Sequence, residues 1–125
     1  GTLRKSPDLW RRWGDGLALG VHRAQLGILV RGLQLLRPGG RLVYSTCSIN
    51  PVEDEAVITH ALLKLQEEGG HRIELKDVSD QLPELKRAHG VHHWRVRYRN
   101  VWYDTIDTVP EELRNSKKIL PTMFP

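Results

Sequence analysis

Cys47 is the only cysteine among 125 residues, and it lies in Val43-Tyr44-Ser45-Thr46-Cys47-Ser48-Ile49-Asn50-Pro51. A lone thiol in such a place is either a small buried hydrophobe or a nucleophile. A β-type run, Arg41 to Thr46, ends just before it. A marked helix start follows in Asn50-Pro51-Val52-Glu53. Asn50 can cap, Pro51 suits the first helical position, and Glu53 can reach back to the cap N–H. Cys47 thus falls three residues ahead of a helix N-terminus, outside the carboxyl end of a strand, where open α/β sheets bind ligands. The helix end favours an anion there. Glu53, Asp54 and Glu55 oppose one, and the sequence leaves the balance open.

The other reactive groupings are weaker. Trp94-Arg95-Val96-Arg97-Tyr98-Arg99 alternates apolar with basic residues. As a strand it puts three arginines on one face and Trp94, Val96 and Tyr98 on the other. Such a strip suits phosphates and stacked bases, and equally a charged edge strand that discourages pairing with other chains. His89, His92 and His93 are clustered but lack the spaced second ligand pair of a zinc site. There is no G-x-G-x-x-G and no phosphate loop; Gly14-Asp15-Gly16 and Gly39-Gly40 are ordinary breaks. Glu53-Asp54-Glu55 reads as a solvated first helical turn before it reads as an acid/base set.

The elements that must position these groups follow from periodicity. Ser6-Pro7 opens a short Trp-containing turn that runs through Trp13. Leu17 to about Leu36 is helical, with Leu26, Leu29, Val30 and Leu33 as one buried stripe. Gly20, Gly27 and Gly32 lie inside it and suggest close packing on a neighbour. Arg37-Pro38-Gly39-Gly40 ends that helix. Arg41 to Thr46 is a strand, Pro51 to about Gln66 a helix with Ile58, Ala61, Leu62 and Leu65 buried, and Gly69-Gly70 stops it. Ile73 to Leu75 is the next expected strand. After Pro110 a loop follows, with a turn of helix near Glu111 to Arg114. Helix, strand, helix, strand joined by short links predicts a parallel α/β layer structure. Two or three strands are too few for a complete doubly wound domain.

Length and composition fit one core: 39% of residues are hydrophobic and 27% charged. No stretch approaches the ~20 apolar residues of a bilayer span. A single cysteine forms no internal disulfide, which fits a reducing compartment. The net charge of +4 is compatible with a polyanionic partner. The chain opens without Met and closes on Pro121-Thr122-Met123-Phe124-Pro125. Both ends are expected to be those of a piece of a longer protein.

The run Gly39-Gly40-Arg41-Leu42-Val43-Tyr44-Ser45-Thr46-Cys47-Ser48-Ile49-Asn50-Pro51-Val52-Glu53-Asp54-Glu55 resembles the Thr-Cys motif of the Nop/Sun family of RNA cytosine-5 methyltransferases. Gly1-Thr2-Leu3-Arg4-Lys5 is similar to the tail of that family's Pro-Cys-Ser-Gly-x-Gly-Thr-x-Arg-Lys motif. Asp77 to Pro83, the His93 to Val96 region and Pro121 to Pro125 resemble the eukaryotic multisite tRNA branch.

The resemblance implies a partial Rossmann-like methyltransferase fold, with residues 1–125 as the C-terminal part of the catalytic domain. It implies that Cys47 adds to carbon 6 of a target cytosine, so that carbon 5 can take a methyl group from S-adenosylmethionine. The base must then leave any stack. Arg4 and Lys5 would contact RNA phosphate, and Thr46 and Ser48 would shape the RNA-binding pocket. The implied partner is RNA, in particular tRNA, and the implied location nuclear or nucleolar. No metal or membrane is implied. The family's second cysteine, its glycine-rich cofactor loop and its closing Gly-Gly-Phe-Phe hairpin have no counterpart here. The rest of the domain is therefore expected to be needed for activity, and the 125 residues alone to be inactive. Two rivals stay open. A cysteine hydrolase or amidotransferase would require a positioned histidine base; a non-catalytic RNA-binding module would use Arg95, Arg97 and Arg99.

Overall fold

The computed structural model describes residues 6–12, 14–69 and 72–125. Arg4 and Lys5, the Gly1-Thr2-Leu3 stretch, Trp13, Gly70 and His71 lie outside the described residues. Helix α1 (Pro7–Arg12) begins at the expected proline. Helix α2 (Asp15–Gln34) carries the stripe that periodicity predicts: Leu29, Val30 and Leu33 are buried and Leu26 is half-buried. They meet Val57, Ala61 and Leu65 of α3 (Glu55–Glu67), each fully buried. Ile58 and Leu62 of the expected face are only half-buried. Leu33, four residues on from Leu29, keeps the contact on one face across the last turns of α2. No helix among the described residues is long and apolar enough to cross a membrane.

After α2 the chain reverses at Arg37-Pro38-Gly39-Gly40, where the Gly40 N–H donates to the Arg37 carbonyl at 2.8 Å. Gly39 has φ +76°, which favours glycine. Of the four glycines within α2, Gly16, Gly20, Gly27 and Gly32, only Gly32 is closely approached: a Cβ there would come 2.9 Å from Leu42 Cδ1. The space beside Gly20 and Gly27 is open, so the close packing expected at those two does not occur.

The expected parallel layer is not formed. Arg41 to Thr46 and Ile73 to Leu75 have no ladder partner among the described residues and are not strands. β-propensity is realised against a neighbouring strand, and here none lies beside either run. Val43 is consequently 88% exposed. Helix α3 also begins later than Pro51. The Pro51 carbonyl accepts from the Asp54 and Ala56 N–H groups, so residues 51–54 form turns ahead of the helix.

The one sheet among the described residues is an antiparallel hairpin of β1 (Val96–Tyr98) and β2 (Val101–Tyr103). Val96 pairs with Tyr103, Arg97 with Trp102 and Tyr98 with Val101. Arg99 and Asn100 form its two-residue turn with φ +50° and +65°, the left-handed pair that a tight hairpin requires. The alternation read from Trp94 to Arg99 thus holds through Tyr98. Arg99 instead leaves the strand and lies over the Tyr98 ring at 5.4 Å.

Val96 and Tyr103 turn inward on a second cluster with Leu19, Val52, Val109, Ile119, Met123 and Phe124. The expected helical turn after Pro110 is present as α4 (Glu111–Asn115). The last residues are tied down by three side chains. Trp94 Nε1–H donates to the Met123 carbonyl at 2.8 Å, and His60 Nε2–H to the Phe124 carbonyl at 3.1 Å. His22 is completely buried and bonds Thr122. Residues 74–93 are exposed throughout and contain one 3-10 turn, Ser79–Gln81. Glu55 tethers this stretch by accepting the Val91 N–H at 3.0 Å.

Candidate active site

From Tyr44 to Asn50 half-buried and exposed residues alternate, through a bend at Cys47. Tyr44, Thr46, Ser48 and Asn50 are half-buried, and Ser45, Cys47 and Ile49 are exposed. Each inward side chain is engaged. Thr46 Oγ1 donates to Asp54 Oδ1 at 2.5 Å and accepts the Ser48 N–H at 3.0 Å. Ser48 Oγ donates to Glu53 Oε1 at 2.8 Å and accepts the Asn50 N–H at 3.1 Å. Asn50 Oδ1 accepts the Val52 N–H at 3.1 Å. Tyr44 donates to the Glu53 carbonyl at 2.6 Å, and Gln25 of α2 donates to Glu53 Oε2 at 3.2 Å.

Asn50 therefore does not cap α3, whose N-cap is Asp54; its side chain closes a local turn over the Val52 N–H, and Glu53 turns to Ser48 and Gln25 rather than back to the Asn50 N–H. The result is a turn held from both sides of Cys47, with the thiol free and exposed on its outer face. Burial raises the Asp54 carboxyl above the usual carboxylate range; the Thr46 hydrogen bond opposes this, and Glu55 and Glu53 push further up. Burial also raises the Tyr44 phenol, with Asp54 and Glu53 adding to the effect. Sequence reasoning assigned no role to Tyr44 or Gln25. The visible signal for Tyr44 was the two-residue alternation that continues to Thr46 and Ser48.

No histidine hydrogen-bonds to Cys47 among the described residues. His22 and His60 are occupied at the docked C-terminal stretch, and His89, His92 and His93 are exposed. Nor, among the described residues, does any group of three or more His, Cys, Asp or Glu side chains stand close enough to hold a metal.

Beside the turn lies a pocket of about 230 Å³. Ile49 and Asn50 of the turn, Asp15 and Leu19 of α2, and Arg95, Arg97 and Trp102 of the hairpin line it. Two guanidinium groups make it a poor site for the cationic sulfonium of S-adenosylmethionine. It also lacks a glycine-rich loop. The lining of this pocket therefore does not suit that cofactor.

A family model described as 16S rRNA methyltransferase RsmB/F matches residues 1–101, and the chain belongs to that family. It is 50% identical over 101 residues to the multisite-specific tRNA (cytosine-C5)-methyltransferase of Saccharomyces cerevisiae, covering 81% of this chain and 14% of that protein. It is 54% identical over 96 residues to the multisite-specific tRNA (cytosine-C5)-methyltransferase trm4b of Schizosaccharomyces pombe, covering 77% and 13%. With the tRNA (cytosine(34)-C5)-methyltransferase of Drosophila melanogaster it shares 40% identity over 127 residues, covering 100% of this chain and 16% of that one. The chain spans about a seventh of the length of these relatives. No solved structure matches it.

Proposed function

We propose that the protein carrying this chain methylates carbon 5 of cytosine in RNA, with tRNA as the substrate class, and that Cys47 is its nucleophile. The Cys47 thiolate adds to carbon 6 of the base. A carbon–sulfur bond forms, the 5,6 double bond breaks, and its electron pair becomes available at carbon 5. Once carbon 5 carries the methyl group, loss of its proton and departure of Cys47 restore the double bond. This is covalent catalysis of one difficult substitution in two easier steps. S-adenosylmethionine is the methyl donor that the family implies, and parts of the protein other than the described residues would hold it.

The observation that carries this reading is the outward thiol of Cys47 between two inward, hydrogen-bonded hydroxyls, Thr46 and Ser48. In this arrangement Thr46 and Ser48 fix the turn and shape its surface, and the thiol is presented to a base flipped out of its stack. Arg4 and Lys5 are proposed as phosphate contacts on the strength of the motif alone, and a nuclear or nucleolar location likewise rests on the resemblance. Residues 1–125 act as the C-terminal part of the catalytic domain. A cysteine hydrolase has less support, because no histidine bonds to Cys47 among the described residues.

The test is methyl transfer to a tRNA transcript by the full-length protein, read as 5-methylcytosine by nucleoside mass spectrometry. Activity should be abolished by Cys47→Ala. Unchanged methylation by that variant, or hydrolysis of a chromogenic ester in its place, contradicts the proposal.

A further inference from the structure

We propose that the pocket beside the Cys47 turn holds the RNA nucleotide adjacent to the target cytosine, with its phosphate on Arg95 and Arg97 and its base against Trp102 and Ile49. This rests on the methyltransferase reading above and adds a subsite to it.

Position is the first argument. Ile49 lines the pocket and is two residues from Cys47. The chain can extend only ~3.6 Å per residue, so the two Cα atoms are within roughly 7 Å of each other. A nucleotide next to a cytosine at the thiol is therefore within reach of this pocket. Its size is the second argument. At about 230 Å³ it is smaller than the ~300–1,000 Å³ that accommodates a drug-sized molecule, and suits a single ring system with a charged group at the rim.

The lining supplies both kinds of contact that a nucleotide needs. Ile49 is 99% exposed and Trp102 is 52% exposed, so two large apolar surfaces facing one concavity are left in water. The guanidinium groups are set in place by the hairpin. Arg97 is the cross-strand partner of Trp102, and Arg95 and Arg97 lie over the indole at 5.1 and 5.6 Å from its centroid. Arg97 is further fixed by Asn100 Oδ1 at 2.5 Å and by Asp15 at 3.8 Å.

That fixing leaves donors unspent. The Nε of Arg97 is buried without a hydrogen-bond partner and out of a ligand's reach, so the donors accessible at the rim are the terminal nitrogens of Arg97 and the guanidinium of Arg95. The ion pair of Arg95 with Asp104 is exposed and long, at 4.0 Å, and is easily exchanged for a phosphate oxygen. The one carboxylate in the pocket, Asp15, is turned to Arg97 and to the Asn100 N–H. Arg95 therefore remains as the positive charge at the rim.

The test uses the full-length protein and a short single-stranded RNA with one cytosine, followed by fluorescence anisotropy across a salt series. Arg95→Gln, a change at an exposed position, should reduce the slope of log affinity against log salt by about 0.7, the loss of one phosphate contact. Trp102→Ala should weaken binding about tenfold. An abasic site next to the cytosine should weaken the wild type by a similar factor and the Trp102→Ala variant hardly at all. Wild-type affinity and slope in both variants, or indifference to the abasic site, overturn the subsite. If a Cys47 adduct still forms on 5-azacytidine RNA in that case, the subsite alone has failed and the methyltransferase reading stands. Absence of the adduct from the wild type marks failure of the methyltransferase reading itself.

Discussion

His22 and Thr122 lie one hundred positions apart and meet at 3.0 Å in the interior. His22 Nδ1 is 2.6 Å from the Val52 carbonyl, which can only accept, so the proton sits on Nδ1 and Nε2 accepts the Thr122 hydroxyl. One neutral imidazole thereby joins α2, the turn after Cys47 and the C-terminal stretch. Because the Val52 N–H is itself held by Asn50, the clamp and the Cys47 turn share a residue.

Stability should therefore fall with acid. Burial holds His22 below its ordinary range; the Val52 hydrogen bond opposes this and His60 adds to it. The unfolded chain takes up a proton at His22 below pH ~6.5 while the folded chain does not, so stability is complete above that pH and declines beneath it. Thermal melts at neutral pH and near pH 5.5 should show a lower Tm in acid. His22→Gln should flatten part of that dependence while lowering stability at both pH values. An acid-independent melt in the wild type contradicts the assignment.

Thr46→Val removes the hydroxyl that joins Asp54 to the Ser48 N–H. About 1–2 kcal/mol of stability should be lost, since two half-buried partners lose their bond at once. Denaturant unfolding of the chain checks this. In the full-length protein, methyl transfer should drop at least tenfold without a matching loss of RNA affinity, because the turn presents the thiol and not the phosphate contacts.

Two glycines should respond in opposite directions. Gly39→Ala places a side chain at φ +76° and should cost about 1 kcal/mol. Gly27 lies within α2 with nothing within 4 Å of its missing Cβ, so Gly27→Ala should stabilise by up to about 1 kcal/mol. Denaturation midpoints of the two variants compare them directly.

S-adenosylmethionine titrated into the 125-residue chain should give no calorimetric signal of a tight complex. Tight binding would falsify the view that its site is formed elsewhere in the protein.

Periodicity made the helices readable, because the stripe from Leu26 to Leu33 needs only one partner helix and α3 supplies it. The run Arg41 to Thr46 has the residue types of a strand but forms none among the described residues, since those types do not provide the neighbour a strand requires. Its alternation nevertheless survives from Tyr44 to Asn50, and this is the part of the site that spacing could foretell: Cys47 out, Thr46 and Ser48 in. The hairpin turn was hidden because Arg99 continues the basic alternation while its backbone is left-handed. His22 went unnoticed although it sits three residues after Leu19 on the inward face of α2. Its partners are contributed by segments far along the chain, which local pattern cannot connect.

The central claim is that Cys47 forms a covalent bond to cytosine. Full-length protein incubated with its methyl donor and RNA containing 5-azacytidine should yield a protein–RNA adduct that persists on a denaturing gel, because that base blocks release of the thiol after attack. The adduct should form with the wild type and be absent with Cys47→Ser. An adduct of equal yield in the Cys47→Ser variant, or none with the wild type, contradicts the account.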